Sequence, residues 1–393
     1  MKSNNLGDFL SDIADAIREK TGIIGRIPAQ EFSEKILDIT SGGNIEVMPK
    51  DVNFYDFDGT LLHSYSVDEF MNLADMPTLP THELLTPLRW TYQIEGAKSY
   101  VGKYGYLDIG VIYEPIDGKT RFYLDVPYGG ATFSFKFTQS VPNGCVINYG
   151  DGSQEITFSQ TNVSASHTYK YGKYILSFDV QDGTIAFSRP FSDLISEQLI
   201  ERIDAGDNID VRYEIFSYGH YNSIVAPRLS TYSTGTYSYS WLKAIVIPSV
   251  SSIPNNTFAL ARLLGKVIIE DGPTSIGACI LDNEKLTTIS LPESITSINS
   301  TFENCVALNT VIIPENVRTI GARTFYGCSN LKFVLFLAHN FVPSLSSTNA
   351  FQSSGSQFKI VVPDELRSSW AQTTNWSSYA SNIITKTEWE AQL

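Results

Sequence analysis

The chain has 393 residues, 42% of them hydrophobic and 12% aromatic, which is ample for packed cores and excludes an intrinsically disordered protein. The formal net charge is -14, from 42 acidic and 28 basic residues with no run of Lys or Arg, so nucleic acid is excluded as a partner. No apolar stretch reaches the ~18 residues that a membrane-spanning helix needs, so no membrane insertion is expected. The first residues also lack the apolar core of a secretory signal peptide.

Residues 1–41 are predicted to form a pair of amphipathic helices. Ile13 and Ile17 lie on one helical face, and the second helix is expected to begin near Pro28. The segment from Ile13 to Phe32 resembles a module of tail-associated proteins in phages and prophages of Gram-positive gut bacteria. The resemblance implies attachment to other virion proteins. Because the pair buries little apolar surface alone, we expect it to hold a homo-oligomer, a trimer, together. The alternative is a hairpin that folds back on the next domain.

A small α+β module is predicted for residues 45–118, after the linker Ser41-Gly42-Gly43. Within it, the segment from Val67 to Leu73 is predicted to be a short helix, and the segment from Trp90 to Ile94 a strand.

This module contains the stretch Asp56-Phe57-Asp58-Gly59-Thr60. It resembles the nucleophile motif of haloacid-dehalogenase-like phosphatases, in which the first Asp attacks phosphorus and the second is the general acid/base. That family also needs a doubly wound domain with a downstream Ser/Thr, a Lys and an acidic pair around magnesium, and the sequence after Asp58 does not supply them. Asp58-Gly59 is also a strong hairpin-turn dipeptide. We therefore predict a hairpin turn and keep a phosphatase as the third functional alternative.

Residues 119–188 are predicted to form a β-sandwich, because short strands with alternating apolar residues follow one another. Asp151-Gly152-Ser153, followed by His167 and Tyr169, resembles the polycystic-kidney-disease-type sandwich, a fold that serves as a spacer in surface proteins. The resemblance implies that His167 and Tyr169 have structural roles. His167 is not expected to bind a metal, since no other His or Cys lies near it in sequence.

A helix from Ser192 to Ile203 is predicted next, from an N-cap Ser and apolar residues at helical spacing. It is expected to lead into a repeat region whose atypical first unit is residues 218–227.

One short pattern then returns at a nearly fixed interval. Leu242, Leu264, Leu286 and Leu308 are 22 residues apart, and Leu331 follows after 23. Each begins a short apolar run that reads as a strand. Because one such unit cannot bury its apolar face alone, neighbouring units must stack into a continuous core. The period predicts a leucine-rich repeat solenoid over residues 189–393.

The units resemble the BspA-like leucine-rich repeats of bacterial surface and phage proteins. The segment from Ile313 to Cys328 is the nearest copy of that consensus. The end of the chain resembles the C-terminal cap of such arrays, which implies that Trp370, Trp376 and Tyr379 cover the last repeat. The predicted fold class is therefore multidomain and mainly β, with a helical pair, an α+β module, a sandwich and a solenoid.

No constellation of catalytic or metal-binding residues stands out. The five His have no metal-ligand spacing, and the four Cys are expected to be buried free thiols. We predict a protein that is not an enzyme and has no cofactor and no metal.

The segment most typical of a binding surface is rich in Tyr, Ser and Gly, the composition of adaptable recognition loops. Its candidate ligand-binding residues are Tyr218, Tyr221, Tyr232, Tyr237, Tyr239 and Trp241. The alternative is a Tyr-lined strand that caps the solenoid.

These features predict a phage virion protein, such as a tail fibre, located on the virion. The N-terminus would attach it, the β-modules would space it, and the solenoid would bind a glycan or protein of the host surface. The alternative function is a BspA-type adhesin on the surface of a gut bacterium.

Overall fold

The structure, a computed structural model, describes residues 51–191, 198–209, 220–226 and 237–392. The chain divides into two compact units, Met1–Pro49 and Lys50–Leu393. All described residues belong to the second unit. The predicted helical pair lies outside the described residues, so attachment and oligomerisation through residues 1–41 stay predictions.

The first described module is a mixed four-stranded sheet with two helices. Its elements are β1 (Asp51–Tyr55), β2 (Leu61–Ser66), α1 (Val67–Met71), β3 (Leu85–Trp90), α2 (Ile94–Tyr104) and β4 (Leu107–Pro115). The sheet order is β2-β1-β4-β3, with β1 and β4 parallel in the centre. Ser66 starts α1 with a capping box, because its Oγ accepts from the N–H of Glu69 and the Glu69 carboxylate accepts from the N–H of Ser66.

The predicted strand from Trp90 to Ile94 is wrong, since β3 ends at Trp90 and α2 begins at Ile94. The segment is helical because its buried residues have the spacing of one helical face; they are Ala97, Tyr100, Val101 and Tyr104. Gly105 ends the helix in the left-handed conformation, with φ of 71°.

The Asp-x-Asp-Gly stretch forms the predicted hairpin turn between β1 and β2. The N–H of Gly59 donates to the carbonyl of Asp56, and the N–H of Thr60 donates to the Asp58 carboxylate. Asp56 itself is buried, with its Oδ2 2.7 Å from Nε2 of His82. The Asp58 carboxylate thus closes the turn, and the Asp56 carboxylate holds the loop that carries His82.

The second module is a β-sandwich. Its strands are β5 (Thr120–Val126), β6 (Ala131–Gln139), β7 (Cys145–Asn148), β8 (Asn162–Tyr169), β9 (Gly172–Val180), β10 (Ile185–Phe191), β11 (Ile200–Asp204) and β12 (Ser223–Val225). Among the described residues they form the sheets β10-β6-β8 and β12-β11-β5-β9-β7. Alternate residues Phe133, Phe135 and Phe137 of β6 point inward, and the ring of Phe178 lies 5.3 Å from that of Phe135.

The Asp-Gly-Ser turn joins the two sheets of this sandwich, because Asp151 follows β7 of one sheet and His167 belongs to β8 of the other. Nε2 of His167 lies 2.7 Å from Oδ2 of Asp151, and the imidazole stacks on Tyr149 with ring centroids 3.9 Å apart. The Tyr169 hydroxyl donates to the carbonyl of Tyr149 at 3.0 Å. Hydrogen bonds from Ser153 and His167 hold the pKa of Asp151 well below its usual range. These contacts give His167 a packing role.

The helix predicted from Ser192 to Ile203 extends too far, since among its described residues Gln198 is helical but Ile200 and those after it form a strand. Residues 192–197 lie outside the described part, and Ile200–Asp204 is strand β11, antiparallel to β5 and parallel to β12. Ile200 and Ile203 have the spacing of one helical face. In the structure, however, this segment pairs with β5 on one side and β12 on the other, so its backbone N–H and C=O groups bond to those strands. The proposed boundary at residue 188 also falls inside β10.

The repeat region forms a solenoid of parallel strands. After β12 come β13 (Ala244–Ile247), β14 (Lys266–Ile269), β15 (Ser275–Ile276), β16 (Thr288–Ile289), β17 (Ser297–Ile298), β18 (Thr310–Ile312), β19 (Thr319–Ile320), β20 (Phe333–Leu335), β21 (Ser344–Leu345), β22 (Lys359–Val362) and β23 (Ile383–Thr385). One face carries β13-β14 and β16-β18-β20-β22-β23, and a second face carries β15-β17-β19-β21. The N–H of Lys243 donates to the carbonyl of Asn222, so the first face continues into the sandwich through β12 and β11.

The interior of the solenoid consists of stacked copies of the same residue. Each Leu that begins a repeat is buried: Leu242, Leu264, Leu286, Leu308 and Leu331. Phe302, Phe325 and Phe351 form a second stack, with ring centroids 5.6 and 5.1 Å apart. This stacking confirms the solenoid predicted from the period.

The α+β module packs laterally on the first face of the solenoid. Lys266 of β14 pairs with Asp108 of β4 at 2.6 Å, and the hydroxyl of Tyr100 on α2 donates to the carbonyl of Leu291 at 2.9 Å. A Cβ added at Gly110 would lie 2.7 Å from Val246, so only Gly permits this approach. The module therefore lies beside the solenoid and does not space it from the rest of the chain.

The C-terminal end is closed by short helices. They are the 3-10 helices Thr348–Phe351, Asp364–Leu366 and Trp376–Tyr379, and the α-helices α3 (Arg367–Gln372) and α4 (Lys386–Glu390). Trp370 and Trp376 are fully buried, and Nε1 of Trp376 donates to the carbonyl of Pro343. Trp389 of α4 is buried and packs against Phe333 on the outer side of β20. Tyr379, the third residue of the predicted cap, is half-buried with its ring 5.1 Å from that of Phe351, so all three residues lie against the end of the solenoid.

Candidate functional site

The first face of the solenoid is covered over much of its length. The α+β module lies over β13 and β14 and is hydrogen-bonded to Thr288 of β16 through Tyr106, and α4 lies against β22 and β23. Outward-facing Ile268 and Ser290 are buried beneath the module. A ligand of the solenoid must therefore use its remaining surfaces, among them the turns that join the strands.

Tyr237 belongs to the core. Its ring stacks on Phe258 with centroids 5.3 Å and planes 7° apart, and its N–H donates to the carbonyl of Thr257. The N–H of Phe258 donates to the carbonyl of Cys279 in the same way one repeat later, and in a later repeat the N–H of Phe302 donates to the carbonyl of Thr324. Tyr237 therefore takes the position of the consensus Phe, in the interior of the solenoid.

Tyr221, two residues before β12, is also fully buried. Burial raises the pKa of its hydroxyl well above the usual value. Neither Tyr221 nor Tyr237 presents its ring to solvent. Tyr218 and Tyr232 lie outside the described residues.

Tyr239 and Trp241 are the exposed members of the predicted patch, with 46% and 48% of their surfaces accessible. Tyr239 has φ of 57°, in the left-handed region. Its N–H donates to the carbonyl of Ala259, as the N–H of Leu260 does to Leu281 one turn later. The repeat geometry thus fixes the backbone that presents both rings.

His220 completes this surface, and the sequence alone did not single it out. Its imidazole stacks on the indole of Trp241, with centroids 4.1 Å and planes 14° apart. Burial lowers the pKa of His220, which favours the neutral form of the ring. One face of Trp241 is therefore occupied by His220, and its accessible surface lies on the opposite face and the ring edge. We call Tyr239, Trp241 and His220 the aromatic patch.

The patch has an apolar neighbour at the equivalent position of the next repeat. Leu263 precedes Leu264 as Trp241 precedes Leu242, and Leu263 is exposed. The sequence could have indicated this surface through the position that directly precedes each repeat Leu, which Trp241 and Leu263 occupy in adjacent repeats. A flat, rigid aromatic surface of this kind can pack against another apolar face while its polar edges hydrogen-bond.

The chemistry of the described residues offers little beyond this surface. Within the described ranges no group of three or more His, Cys, Asp or Glu is placed to hold a metal ion. Burial raises the pKa of Cys328 to about 12 and that of Cys305 well above the usual value, so these thiols stay protonated. Across the same ranges, no helix has the length and apolar character that crossing a membrane requires.

Comparisons with known proteins bear on the repeat region. No curated protein matches the chain. A solved structure, a leucine-rich repeat protein from Bacteroides ovatus, shares 18% identity over 50% of this chain, with a TM-score of 0.29. The match spans 61% of that protein's chain. Residues 230–357 match the family profile of the BspA type leucine rich repeat region, in six copies. The chain therefore contains a BspA-type leucine-rich repeat region.

Proposed function

We propose that this protein is a surface adhesin-type protein whose solenoid binds a ligand on another surface. The six-copy BspA-type repeat region carries the proposal. Such solenoids present extended surfaces for recognition, and their fold is typically not that of an enzyme. The assignment of function from a repeat family is an analogy, so the binding site is argued from the aromatic patch.

The ligand that suits the aromatic patch best is a surface glycan. The accessible face of Trp241 can pack against the apolar face of a sugar ring, and the hydroxyl of Tyr239 can hydrogen-bond to a sugar hydroxyl. Each ring contributes about 0.5–1.5 kcal/mol beyond burial, so a single site is weak. Several sites on one assembly would combine into useful avidity.

The test uses the full chain, since removing the α+β module would expose the buried face of the solenoid. Fluorescently labelled protein is added to intestinal epithelial cells and to a panel of Gram-positive gut bacteria. We expect labelling of at least one cell type, and a several-fold loss with Tyr239→Asn/Trp241→Ala. Asn is chosen because it tolerates the left-handed conformation of residue 239.

Val306→Ala, at an exposed apolar position of a later repeat, is the matched control and should label like the wild type. Periodate oxidation of the cells should remove the signal if the ligand is a glycan and leave it if the ligand is a protein. Equal labelling by the patch variant and the wild type would place recognition elsewhere on the chain.

The alternative is a virion protein such as a tail fibre, located on phage particles. Its support is the resemblance of the segment from Ile13 to Phe32 to modules of phage tail-associated proteins. The BspA-type match favours the adhesin over the virion protein. Immunoblots of an induced culture separate the two, because an adhesin would be found with the cell surface and a tail fibre with purified particles.

We also propose that residues 1–41 hold the chain in a trimer, because their predicted apolar helical faces need a partner. Sedimentation of the full chain should give a trimer, whereas a fragment starting at Lys50 should give a monomer. Identical monomeric masses for the two proteins would disprove the proposal.

A further inference from the structure

Two tyrosines at one end of the sandwich have no role in its core. Tyr128 lies in the turn between β5 and β6, and Tyr171 in the turn between β8 and β9. They are 94% and 67% exposed, the two highest values among the exposed large apolar side chains of the described residues. Their ring centroids are 6.2 Å apart, with planes at 60°. Each ring contacts the other, but most of both surfaces faces water.

Short, tight turns fix the backbone that carries the two rings. The N–H of Gly130 donates to the carbonyl of Pro127 at 3.0 Å, and φ of Gly130 is 78°. A Cβ at Gly130 would lie 2.6 Å from the carbonyl oxygen of Tyr169, so the two turns abut at this point. Because the strands on both sides are paired, little backbone freedom is left to lose on binding.

The charges beside the rings compensate one another. Asp125 and Lys173 face each other across β5 and β9, just inside the turns. Nζ of Lys173 lies 3.6 Å from Asp125 and 2.9 Å from Glu201. Lys170, which precedes Tyr171 in the turn between β8 and β9, adds one exposed positive charge. The described part of this surface therefore lacks the strong field that an anionic membrane or a highly charged partner would require.

We propose that Tyr128 and Tyr171 form a second binding site, which takes a neutral oligosaccharide. Two tilted tyrosine rings offer apolar faces to sugar C–H groups and hydroxyls to sugar oxygens. Paired carboxylate and ammonium groups at the edge can bond sugar hydroxyls without excluding a neutral ligand. The site is independent of the aromatic patch and of the function proposed for it.

Native gel electrophoresis with embedded neutral polysaccharides tests this site. The probes are starch, xyloglucan, galactomannan and arabinoxylan, and the full chain is run against Tyr128→Ala/Tyr171→Ala. We expect at least one probe to retard the wild type, and the variant to lose about five-fold or more in affinity. Neither substitution changes the charge, so mobilities without polysaccharide should agree.

Ile116→Ala is the matched control, because Ile116 is also exposed in a turn but lies in the connection between β4 and β5. It should be retarded like the wild type, and so should Tyr239→Asn/Trp241→Ala. Retardation by none of the four probes, or equal retardation of the Tyr128/Tyr171 variant, would overturn the proposal. Loss with the Tyr239/Trp241 variant alone would also overturn it, since binding would then belong to the aromatic patch.

Discussion

Asp108→Ala should lower the free energy of unfolding by about 3–5 kcal/mol, the usual cost of removing one partner of a buried ion pair. Asp108 is fully buried where the α+β module meets the solenoid. Its Oδ2 accepts hydrogen bonds from Nζ of Lys266 and the hydroxyl of Tyr106, both at 2.6 Å. Burial, the largest single cause, would lower the pKa of Lys266, but Asp108 and Tyr55, through their charges and hydrogen bonds, together raise it above its usual value. Lys266 is therefore charged in the folded protein and would be left without its counter-ion.

Urea unfolding of the full chain measures this cost. Asp108→Leu/Lys266→Met provides the second arm, because removing both charges leaves no unpaired ion and should restore most of the lost stability. Asp125→Ala, in an exposed ion pair of the sandwich, is the control and should change the midpoint little. A loss below about 1 kcal/mol for Asp108→Ala would mean that water reaches Lys266 and that the module is not firmly docked.

The docking of this module could not be located from sequence, because its contacts join residues that are far apart in the chain. Asp108 and Lys266 are separated by 158 positions. A partial signal was nevertheless present. The segment Ala244–Ile247 and residues 267–269 of β14 are continuous apolar runs, as expected of parallel strands buried on both faces. Ser275–Ile276 and Ser297–Ile298 instead alternate polar and apolar residues, and their outer sides face water.

The candidate site was predictable only in part, because composition does not say which ring of a Tyr-rich segment points inward. The repeat register decides that question. Tyr237 precedes Phe258 by 21 residues and stacks on it, whereas Tyr239 and Trp241 fall at turn positions. His220 could not be found in this way, since its stacking on Trp241 depends on how β12 joins the sandwich.

Leu308→Ala should lower the free energy of unfolding by about 2–5 kcal/mol, because it removes buried methyl groups and leaves a cavity. Leu308 is fully buried between the equivalent residues Leu286 and Leu331 of the adjacent repeats. Each repeat contacts chiefly its neighbours, so the cavity weakens two interfaces at once. The surrounding turns are fixed by hydrogen bonds such as that from the N–H of Leu308 to Cys305, which limits collapse around the cavity.

Chemical unfolding compares this variant with Val306→Ala, two residues away and exposed, which should stay within about 0.5 kcal/mol of the wild type. Leu308→Met conserves volume and should cost less than about 1.5 kcal/mol. A close-packed stack requires this order of stability, with Leu308→Ala far less stable than Leu308→Met, and Leu308→Met close to the wild type. An unchanged midpoint for Leu308→Ala would mean that the Leu stack does not support the solenoid, and the 22-residue period would then need another physical cause.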